Sequence, residues 1–257
     1  MHALMQDAVV LVTGGTQGLG RAIALAAARE GASGVAIVGR NAARAEEVSA
    51  AIREAGAEPL AIVADLSVEG EAERVVAETI ERFGRVDSLV NAAGATTRGT
   101  LLDTSRALLN EHLALNLTAP FMTMQGAVAD MKRRGAPGTI LNIITMSMHG
   151  GQPYLAPYVA SKAGLAGLTK NAAFGHRFDR IRINGLNIGW TATPGEAVTQ
   201  KTFHAADDGW LAKASAQQPM GKLGQPDEIA DAVVSLLSER SGVVTGLITD
   251  RDQNVPG

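Results

Sequence analysis

Two short stretches of this 257-residue chain hold residue types that could do chemistry together. The first is Tyr158-Val159-Ala160-Ser161-Lys162, in a region of helical character. Residues four apart share a helix face, so Lys162 lies over Tyr158. An ammonium beside a phenol favours phenolate and is expected to lower the Tyr158 pKa from about 10 toward working pH. A tyrosine tuned in this way gives or takes a proton at a carbonyl or alcohol oxygen. Taken alone, a Tyr–Lys pair at this spacing is more often a solvated surface pair. The second stretch is Thr13-Gly14-Gly15-Thr16-Gln17-Gly18-Leu19-Gly20. Such a turn, between a strand and a helix, gathers bare backbone N–H groups and a positive helix end at one point, which suits a pyrophosphate. Glycine is needed wherever the ligand would strike a Cβ. The spacing is Gly-x-x-x-Gly-x-Gly rather than Gly-x-Gly-x-x-Gly, and a glycine-rich turn without a ligand is the plainer alternative.

Both stretches sit within a repeated pattern. Apolar, β-branched runs at Val9–Val12, Val35–Val38, Leu60–Val63, Val86–Val90, Thr139–Ile144, Ile181–Leu186 and Val244–Thr249 read as strands. Helical patterns at Arg21–Glu30, Asn41–Ala55 and Val68–Phe83 separate the first four. Runs apolar on both faces belong to a parallel sheet covered by helices. Gly31, Gly56 and Gly84 stand where a helix needs a left-handed residue after its end, and Asn41 and Ser67 suit N-caps. The alternation predicts a doubly wound α/β fold. One stretch, about 190–225, breaks the pattern and is read as a segment covering the sheet's carboxyl edge within a single domain over 1–257.

Composition narrows the function. Hydrophobic residues at 46% and charged residues at 19% exclude a disordered chain. The 23 Lys plus Arg against 26 Asp plus Glu leave a net charge of −3, which argues against a nucleic-acid or anionic-membrane partner. The absence of cysteine excludes disulfides and thiolate chemistry and points to the cytoplasm. The segment from Met1 to Gly15 lacks the basic start of a signal peptide. The uncharged stretches are too rich in Asn, Gln, Gly, Pro and Thr to span a membrane. His149 and His204 show no partner pattern and are read as lone histidines, so no metal is assigned.

Together the two motifs resemble the classical short-chain dehydrogenase/reductase family, and the likeness covers nearly the whole chain. Asn91-Ala92-Ala93-Gly94 stands where the family has Asn-Asn-Ala-Gly. Asp65 follows the third strand, where the family contacts adenine. Asn116 lies in Leu115-Asn116-Leu117 at the family's helical Asn position, and Thr193 follows Gly189 as in the family's Pro-Gly-x-x-x-Thr segment. The resemblance implies a Rossmann fold with a seven-stranded parallel sheet of order 3-2-1-4-5-6-7. It implies Tyr158 as acid/base, Lys162 as its tuner and ribose ligand, and Asn116 as the holder of a water. For Asn116 there is also a local reason: Pro120, four residues on, has no N–H, so the Asn116 carbonyl loses its helical partner. A kinked core helix is the bland alternative. The resemblance further implies a nicotinamide cofactor held by Gly14, Thr16, Gln17, Gly18, Leu19, Gly20, Arg40, Asp65, Leu66, Asn91, Ala92, Gly94, Tyr158, Lys162, Ile188, Gly189, Thr191 and Thr193. It implies a homodimer or homotetramer. Ala163, Gly164, Ala166 and Gly167 would allow close helix approach in such an assembly, or tight packing on the chain's own sheet.

Three departures from the family pattern matter. Its substrate-orienting serine is Thr145 here, with Ser147 two residues on as the weaker candidate. A threonine hydroxyl still donates, but its methyl narrows the space. The family's Pro-Gly is Ile188-Gly189, and its Asp-Gly-Gly tail is Asp250-Arg251-Asp252, which makes the usual tetramer less secure.

Cofactor and substrate follow from single positions. The second strand ends Val38-Gly39-Arg40. NAD-preferring relatives usually carry Asp at the Gly39 position, where a carboxylate would repel a 2′-phosphate. Gly39 removes that repulsion, and Arg40 offers a fork donor to phosphate. This favours NADP(H) and leaves NAD(H) open; no basic residue sits inside the glycine turn. His149, Gln152, Tyr154, Asn187, Trp190, Glu196, His204 and Trp210 fall near the pocket. Polar groups with flat faces suit a small hydroxylated substrate such as a sugar or polyol, with Thr145, Ser147, Tyr158 and Trp190 touching it. The two tryptophans serve equally well to pack the covering segment. The expected activity is NAD(P)-dependent interconversion of an alcohol and a carbonyl. The alternatives are a 3-oxoacyl-thioester reductase, for which His176-Arg177 with Arg180 and Arg182 is a faint carrier-docking patch, and a catalytically silent nucleotide-binding regulator.

Overall fold

A computed structural model of the chain describes residues 3–254. Seven strands form one sheet: β1 (Val9–Thr13), β2 (Gly34–Gly39), β3 (Glu58–Val63), β4 (Ser88–Asn91), β5 (Gly138–Thr145), β6 (Ile181–Ile188) and β7 (Ile248–Arg251). Their order is β3-β2-β1-β4-β5-β6-β7, and each neighbouring pair is parallel. The predicted order is therefore the observed one. Strand order reverses between β1 and β4, and the connections leaving these two strands part there to open a crevice at the carboxyl edge.

The helices are α1 (Gly18–Arg29), α2 (Ala42–Glu54), α3 (Glu71–Phe83), α4 (Arg106–Leu113), α5 (Ala119–Arg134), α6 (Ala156–His176), α7 (Pro194–His204), α8 (Trp210–Ala216) and α9 (Pro226–Leu237). The two-residue period of β1 divides them between two cores. Val10 and Val12 join Ile23 of α1, Ile52 of α2 and Val233 of α9. Leu11, between them, joins Val75 of α3 and Met131 of α5. Both faces are covered, which is why the strand reads as apolar throughout. Leu11 is fully buried, and its truncation to Ala would cost about 2–5 kcal/mol.

Local signals explain most boundaries. Asn41 caps α2 by accepting from the Arg44 N–H at 2.9 Å. Gly31, Gly56 and Gly84 all take positive φ. Several predicted boundaries move, two of them for a visible local reason. The helix expected from Val68 begins at Glu71, because Ser67 does not cap it. Instead, the Ser67 N–H and hydroxyl both donate to Asp65 Oδ1, at 3.0 and 2.7 Å, and close a turn. Gly70, at φ 85°, then leads into α3. The strand expected at Val244–Thr249 lies at Ile248–Arg251, because Gly242 and Gly246 adopt left-handed conformations before it.

Between β6 and α9 the chain makes an excursion carrying α7 and α8. It leaves and returns at one place: the Gly224 N–H donates to the Trp190 carbonyl, and the Ala192 N–H to the Gly224 carbonyl. The small residues of α6 divide. A Cβ on Gly164 would lie 3.1 Å from Leu117, and Ala166 is buried, whereas Ala163 and Gly167 face outward.

Candidate active site

Helix α6 opens with Pro157 in its first turn, where a missing N–H costs nothing. It presents Tyr158 and Lys162 at the sheet's carboxyl edge, 9% and 4% exposed. Lys162 donates to the Ile143 carbonyl at 2.7 Å. Burial, with no ion pair to offset it, pulls its pKa down to about 8. Tyr158 moves the other way. Burial pushes it up to about 12; the neighbouring Thr145 hydroxyl opposes the rise, Glu196 adds to it and Arg98 opposes it. The lowering expected from Lys162 is thus not observed. Its ammonium is spent on the Ile143 carbonyl, and desolvation of the phenol decides the direction.

The end of β5 settles how the two candidate hydroxyls stand. Thr145 is buried and engages Tyr158, as well as accepting from the Ser147 N–H at 3.2 Å. Ser147 points its hydroxyl to Gln152 Oε1 at 2.5 Å instead. Asn116 is fully buried and lies in a π-helical turn over Ala114–Thr118, just before Pro120. The Pro120 signal thus coincides with a widened helix. The Asn116 side chain accepts from the Ala95 N–H and donates to the Ala95 carbonyl, both at 3.0 Å, and donates to Ser161 Oγ at 3.1 Å. Ser161 in turn donates to the Tyr158 carbonyl at 2.8 Å. Gly94 closes this group: a Cβ there would come within 3.2 Å of Asn116 Oδ1 and 3.6 Å of Lys162 Nζ.

The glycine turn is held by close backbone approach. Gly14 has φ 68°, and a Cβ on it would lie 2.8 Å from the Ala93 nitrogen. A Cβ on Gly20 would collide with the Gly14 carbonyl. Thr13 Oγ1 accepts from the N–H groups of Ala92 and Ala93, at 3.1 and 3.2 Å, and ties the two loops together. Thr16 and Leu19 are buried beside the turn. Gln17 precedes α1 without a side-chain cap, and the first turn of α1 holds no acid. Those N–H groups therefore remain for an anion. Gly18, at φ 52°, faces only Thr193, whose side chain would sit 3.6 Å from an added Cβ. The turn and Thr193 thus form a narrow cradle that fits a dinucleotide's phosphates. Thr193 also caps α7 through the Glu196 N–H at 3.0 Å.

Two predicted cofactor positions reach the edge differently from expectation. The Asn91 side chain is turned inward: it donates to Asn142 Oδ1 at 2.9 Å and accepts from Thr123 at 2.8 Å. The Leu66 side chain joins the core under α3. Only their backbones are left for a ligand. Ile188 makes the last pairing with β7, opposite Arg251, and Gly189 follows it. A Cβ on Gly189 would strike the carboxylate of Asp252, so the glycine and the unusual tail are matched. Thr191 is buried and donates to the Gly189 carbonyl at 2.9 Å.

Beside β2, a Cβ on Gly39 would collide with the Thr16 hydroxyl. Arg40 lies 3.8 Å from Asp65 and is largely exposed. A second cation, missed in the sequence, joins it: Arg44 donates to Gln17 Oε1 of the glycine turn. The signal was one helical turn past Arg40, at the start of α2 rather than inside the glycine turn.

On the substrate side, Trp190 donates to Glu196 at 2.8 Å and stacks at a tilt 6.5 Å from Trp210. That is the packing role weighed for the two tryptophans. His149 is not a lone histidine: its Nε2 lies 3.1 Å from Asp250. Asp250 also accepts from Asn187 at 2.6 Å, which with His149 holds its carboxyl below the usual range. The basic residues weighed for a carrier protein lie elsewhere. Arg182, at the amino end of β6, donates to the carbonyls of Leu236, Leu237 and Ser238 and caps α9.

The profile of the family described as enoyl-(acyl carrier protein) reductase matches residues 14–253. An uncharacterized oxidoreductase of Thermotoga maritima is 34% identical over 96% of both chains. The chain belongs to the classical short-chain dehydrogenase/reductase family. It is an oxidoreductase acting on CH–OH groups with a nicotinamide cofactor. L-rhamnose 1-dehydrogenase (NAD(P)(+)) of Azotobacter vinelandii is 33% identical, over 95% of this chain and 94% of its own. The solved structure of L-sorbose reductase from Gluconobacter frateurii, complexed with NADPH and L-sorbose, superposes with a TM-score of 0.92 at 27% identity over 98% of both chains.

Proposed function

We propose that this short-chain dehydrogenase/reductase interconverts an alcohol and a carbonyl on a sugar, polyol or similar small hydroxylated molecule, with NADP(H) preferred and NAD(H) accepted less well. The observation that carries this reading is the buried Tyr158 at the sheet's carboxyl edge, with buried Thr145 at the end of β5 near its phenol and Lys162 one turn further along α6.

A bound nicotinamide supplies or accepts the hydride. The chain supplies the proton and the geometry. Tyr158 gives its phenolic proton to the substrate oxygen in reduction and takes it back in oxidation. With its pKa pushed to about 12, it holds that proton at neutral pH, ready to donate. Thr145 donates to the same oxygen and fixes its position, and Ser147 and Trp190 border the substrate. Lys162 bonds the ribose. Asn116 keeps Ala95 and Ser161 in place around them.

Gly14, Thr16, Gln17, Gly18, Leu19, Gly20 and Thr193 hold the phosphates. Asp65 and the backbone of Leu66 meet the adenine; the backbones of Asn91, Ala92 and Gly94 line the ribose; Ile188, Gly189 and Thr191 meet the carboxamide. Arg40 and Arg44 receive the 2′-phosphate, for which guanidinium is the better geometric match. The segment around 190–225 covers the substrate within one domain.

The sugar or polyol reading draws on the polar and aromatic lining, together with relatives named for L-rhamnose and L-sorbose. Outward-facing Ala163, Gly167 and Phe174 on α6 support a homodimer or homotetramer. The absence of cysteine supports the cytoplasm. Among the described residues no helix is long and apolar enough to cross a membrane.

Calorimetric titration with NADPH and NADH tests the reading. NADPH is expected to bind about tenfold tighter or better, from charged hydrogen bonds to its extra phosphate. Tighter NADH would overturn the role of Arg40 and Arg44. No binding of either below millimolar would overturn the nucleotide reading itself.

A further inference from the structure

Arg98 lies in the loop after β4, beside the entry to α6. The neighbouring Gly99 forms a parallel bridge to Leu155: its N–H donates to the Tyr154 carbonyl at 2.9 Å, and its carbonyl accepts from the Ala156 N–H at 3.0 Å. Arg98 is thereby fixed next to the residues that lead directly into Tyr158. Its guanidinium is clamped on aromatic faces, 5.2 Å from the Tyr154 ring centroid and 5.3 Å from that of Phe203. One terminal nitrogen donates to the Thr96 carbonyl at 2.9 Å, and the other lies 2.7 Å from His204 Nε2. Arginine only donates, so His204 must accept there with a bare nitrogen.

Two things are missing from this arrangement. Arg98 Nε is buried and has no acceptor. No carboxylate among the described residues lies within ion-pair distance of the guanidinium. Glu196, whose charge reaches the same phenol, accepts instead from Trp190 at 2.8 Å and Gln200 at 2.7 Å. Two of its five N–H groups are bonded and the Nε–H is enclosed, which leaves one N–H on each terminal nitrogen, and the charge, without a partner among the described residues. A carboxylate approaching those terminal N–H groups in the guanidinium plane makes its strongest bonds.

We infer that Arg98 anchors a carboxylate on the substrate, so that the hydroxylated molecule turned over at Tyr158 is a hydroxy or oxo acid rather than a neutral sugar. This rests on the proposed oxidoreductase reading and narrows its substrate class. Tyr154, Phe203 and His204 then act by holding the guanidinium, and α7 is tied to the β4 loop through the residue that reads the substrate.

The competing role for Arg98 is a latch that only holds α7 in place. Calorimetry on the complex with NADP separates the two, using D-gluconate as the acidic probe and D-sorbitol as its neutral counterpart. The parent complex is expected to bind gluconate more tightly than sorbitol. Arg98→Met should weaken gluconate about 10- to 100-fold and leave sorbitol within about threefold. Arg98→Lys, which keeps the charge and loses the planar fork, should fall between. An equal loss for both probes would assign Arg98 to the latch and overturn the inference. So would a parent complex that binds NADP and sorbitol but not gluconate, and that result would leave the oxidoreductase reading standing. Failure to bind NADP would instead overturn the reading on which the inference rests.

Discussion

Over β1, β2 and β4 the carboxyl edge is made of backbone pressed on backbone, whereas over β5 and β6 it is made of side chains reaching in from separate segments. On the first side, Gly14 lies on Ala93, Gly20 lies under the Gly14 carbonyl, and Gly39 leaves room for Thr16. On the second, Tyr158 meets Thr145, Trp190 meets Glu196, and Arg98 sits between Tyr154 and Phe203. A backbone cradle recognises what all its ligands share, here a dinucleotide phosphate. A side-chain pocket recognises what distinguishes one substrate from another. The cradle should therefore fail through shape, and the pocket through single functional groups.

The largest effect should come from Tyr158→Phe. It removes one hydroxyl from the side-chain half and nothing from the cradle. We expect turnover to fall by about a thousandfold or more, in line with the loss of a positioned general acid, while NADPH affinity stays within about twofold of the parent by calorimetry. A variant that turns over as fast as the parent would remove Tyr158 from the chemistry. One that loses NADPH equally would dissolve the division between the halves.

Lys162→Met should separate function from stability. Its pKa is about 8 in the fold against 10.5 for the free group, and burial is the cause. Between those values the unfolded chain binds a proton that the native chain does not, so stability rises with pH across that window. Below it the cost of the buried, charged site is constant, on the order of 3 kcal/mol. Tyr158 acts in the opposite sense, and above pH 10 its raised pKa makes stability fall. Replacing Lys162 should lower turnover by about a hundredfold or more. The cofactor-free protein should nonetheless melt no lower at pH 7, and its melting temperature should lose the parent's rise between pH 8 and 10. A lower melting temperature at pH 7 would show that the Ile143 bond outweighs the burial cost.

The cradle is tested at Gly39. An Asp there would bring a carboxylate to the 2′-position but would also drive its Cβ into Thr16. Gly39→Asp alone should therefore weaken both cofactors. Paired with Thr16→Gly, which also removes the Cβ that would lie 2.9 Å away, it should recover NADH binding and hold NADPH about tenfold or more below the parent, through like-charge repulsion. Equal recovery of both cofactors would mean that Gly39 serves packing and carries no cofactor preference.

The same contrast explains what could be read from the residues alone. The strands, the glycine turn, and the placement of Tyr158 and Lys162 were legible from periodicity or from residues a few positions apart, whereas the strand order was implied by the family resemblance. Arg98, Arg44 and the His149–Asp250 pair were not. Arg98 meets His204 across more than a hundred positions, and His149 meets Asp250 across a similar distance. No local pattern announces such a contact. The direction of the Tyr158 shift was misread for a related reason: spacing places Lys162 near the phenol, but burial, which decides the shift, belongs to the whole fold. Asn91 shows the converse, a motif residue at the expected place whose side chain the core had already claimed.

The smallest effect, and the sharpest test of the side-chain half, concerns the two hydroxyls after β5. Thr145 is buried near Tyr158 and lowers its pKa, whereas Ser147 is turned to Gln152. If the substrate oxygen is held between Tyr158 and one of them, only Thr145 is placed to share it. Thr145→Ala should lower kcat by about 10- to 100-fold, the range for one lost donor at a reacting oxygen. Thr145→Ser keeps the hydroxyl and frees χ1, so it should stay within about threefold of the parent. Ser147→Ala should move kcat by less than about twofold, because its hydroxyl bonds an exposed glutamine. Parallel measurement of KM decides the interpretation. A loss in Thr145→Ala confined to KM would make the threonine a binding contact that acts equally before and during the reaction. A loss in kcat places its hydroxyl on the oxygen where charge develops. Were Ser147→Ala the slower of the two alanine variants, Gln152 would have to release that serine when substrate arrives, and the segment after β5 would be the moving part of the pocket.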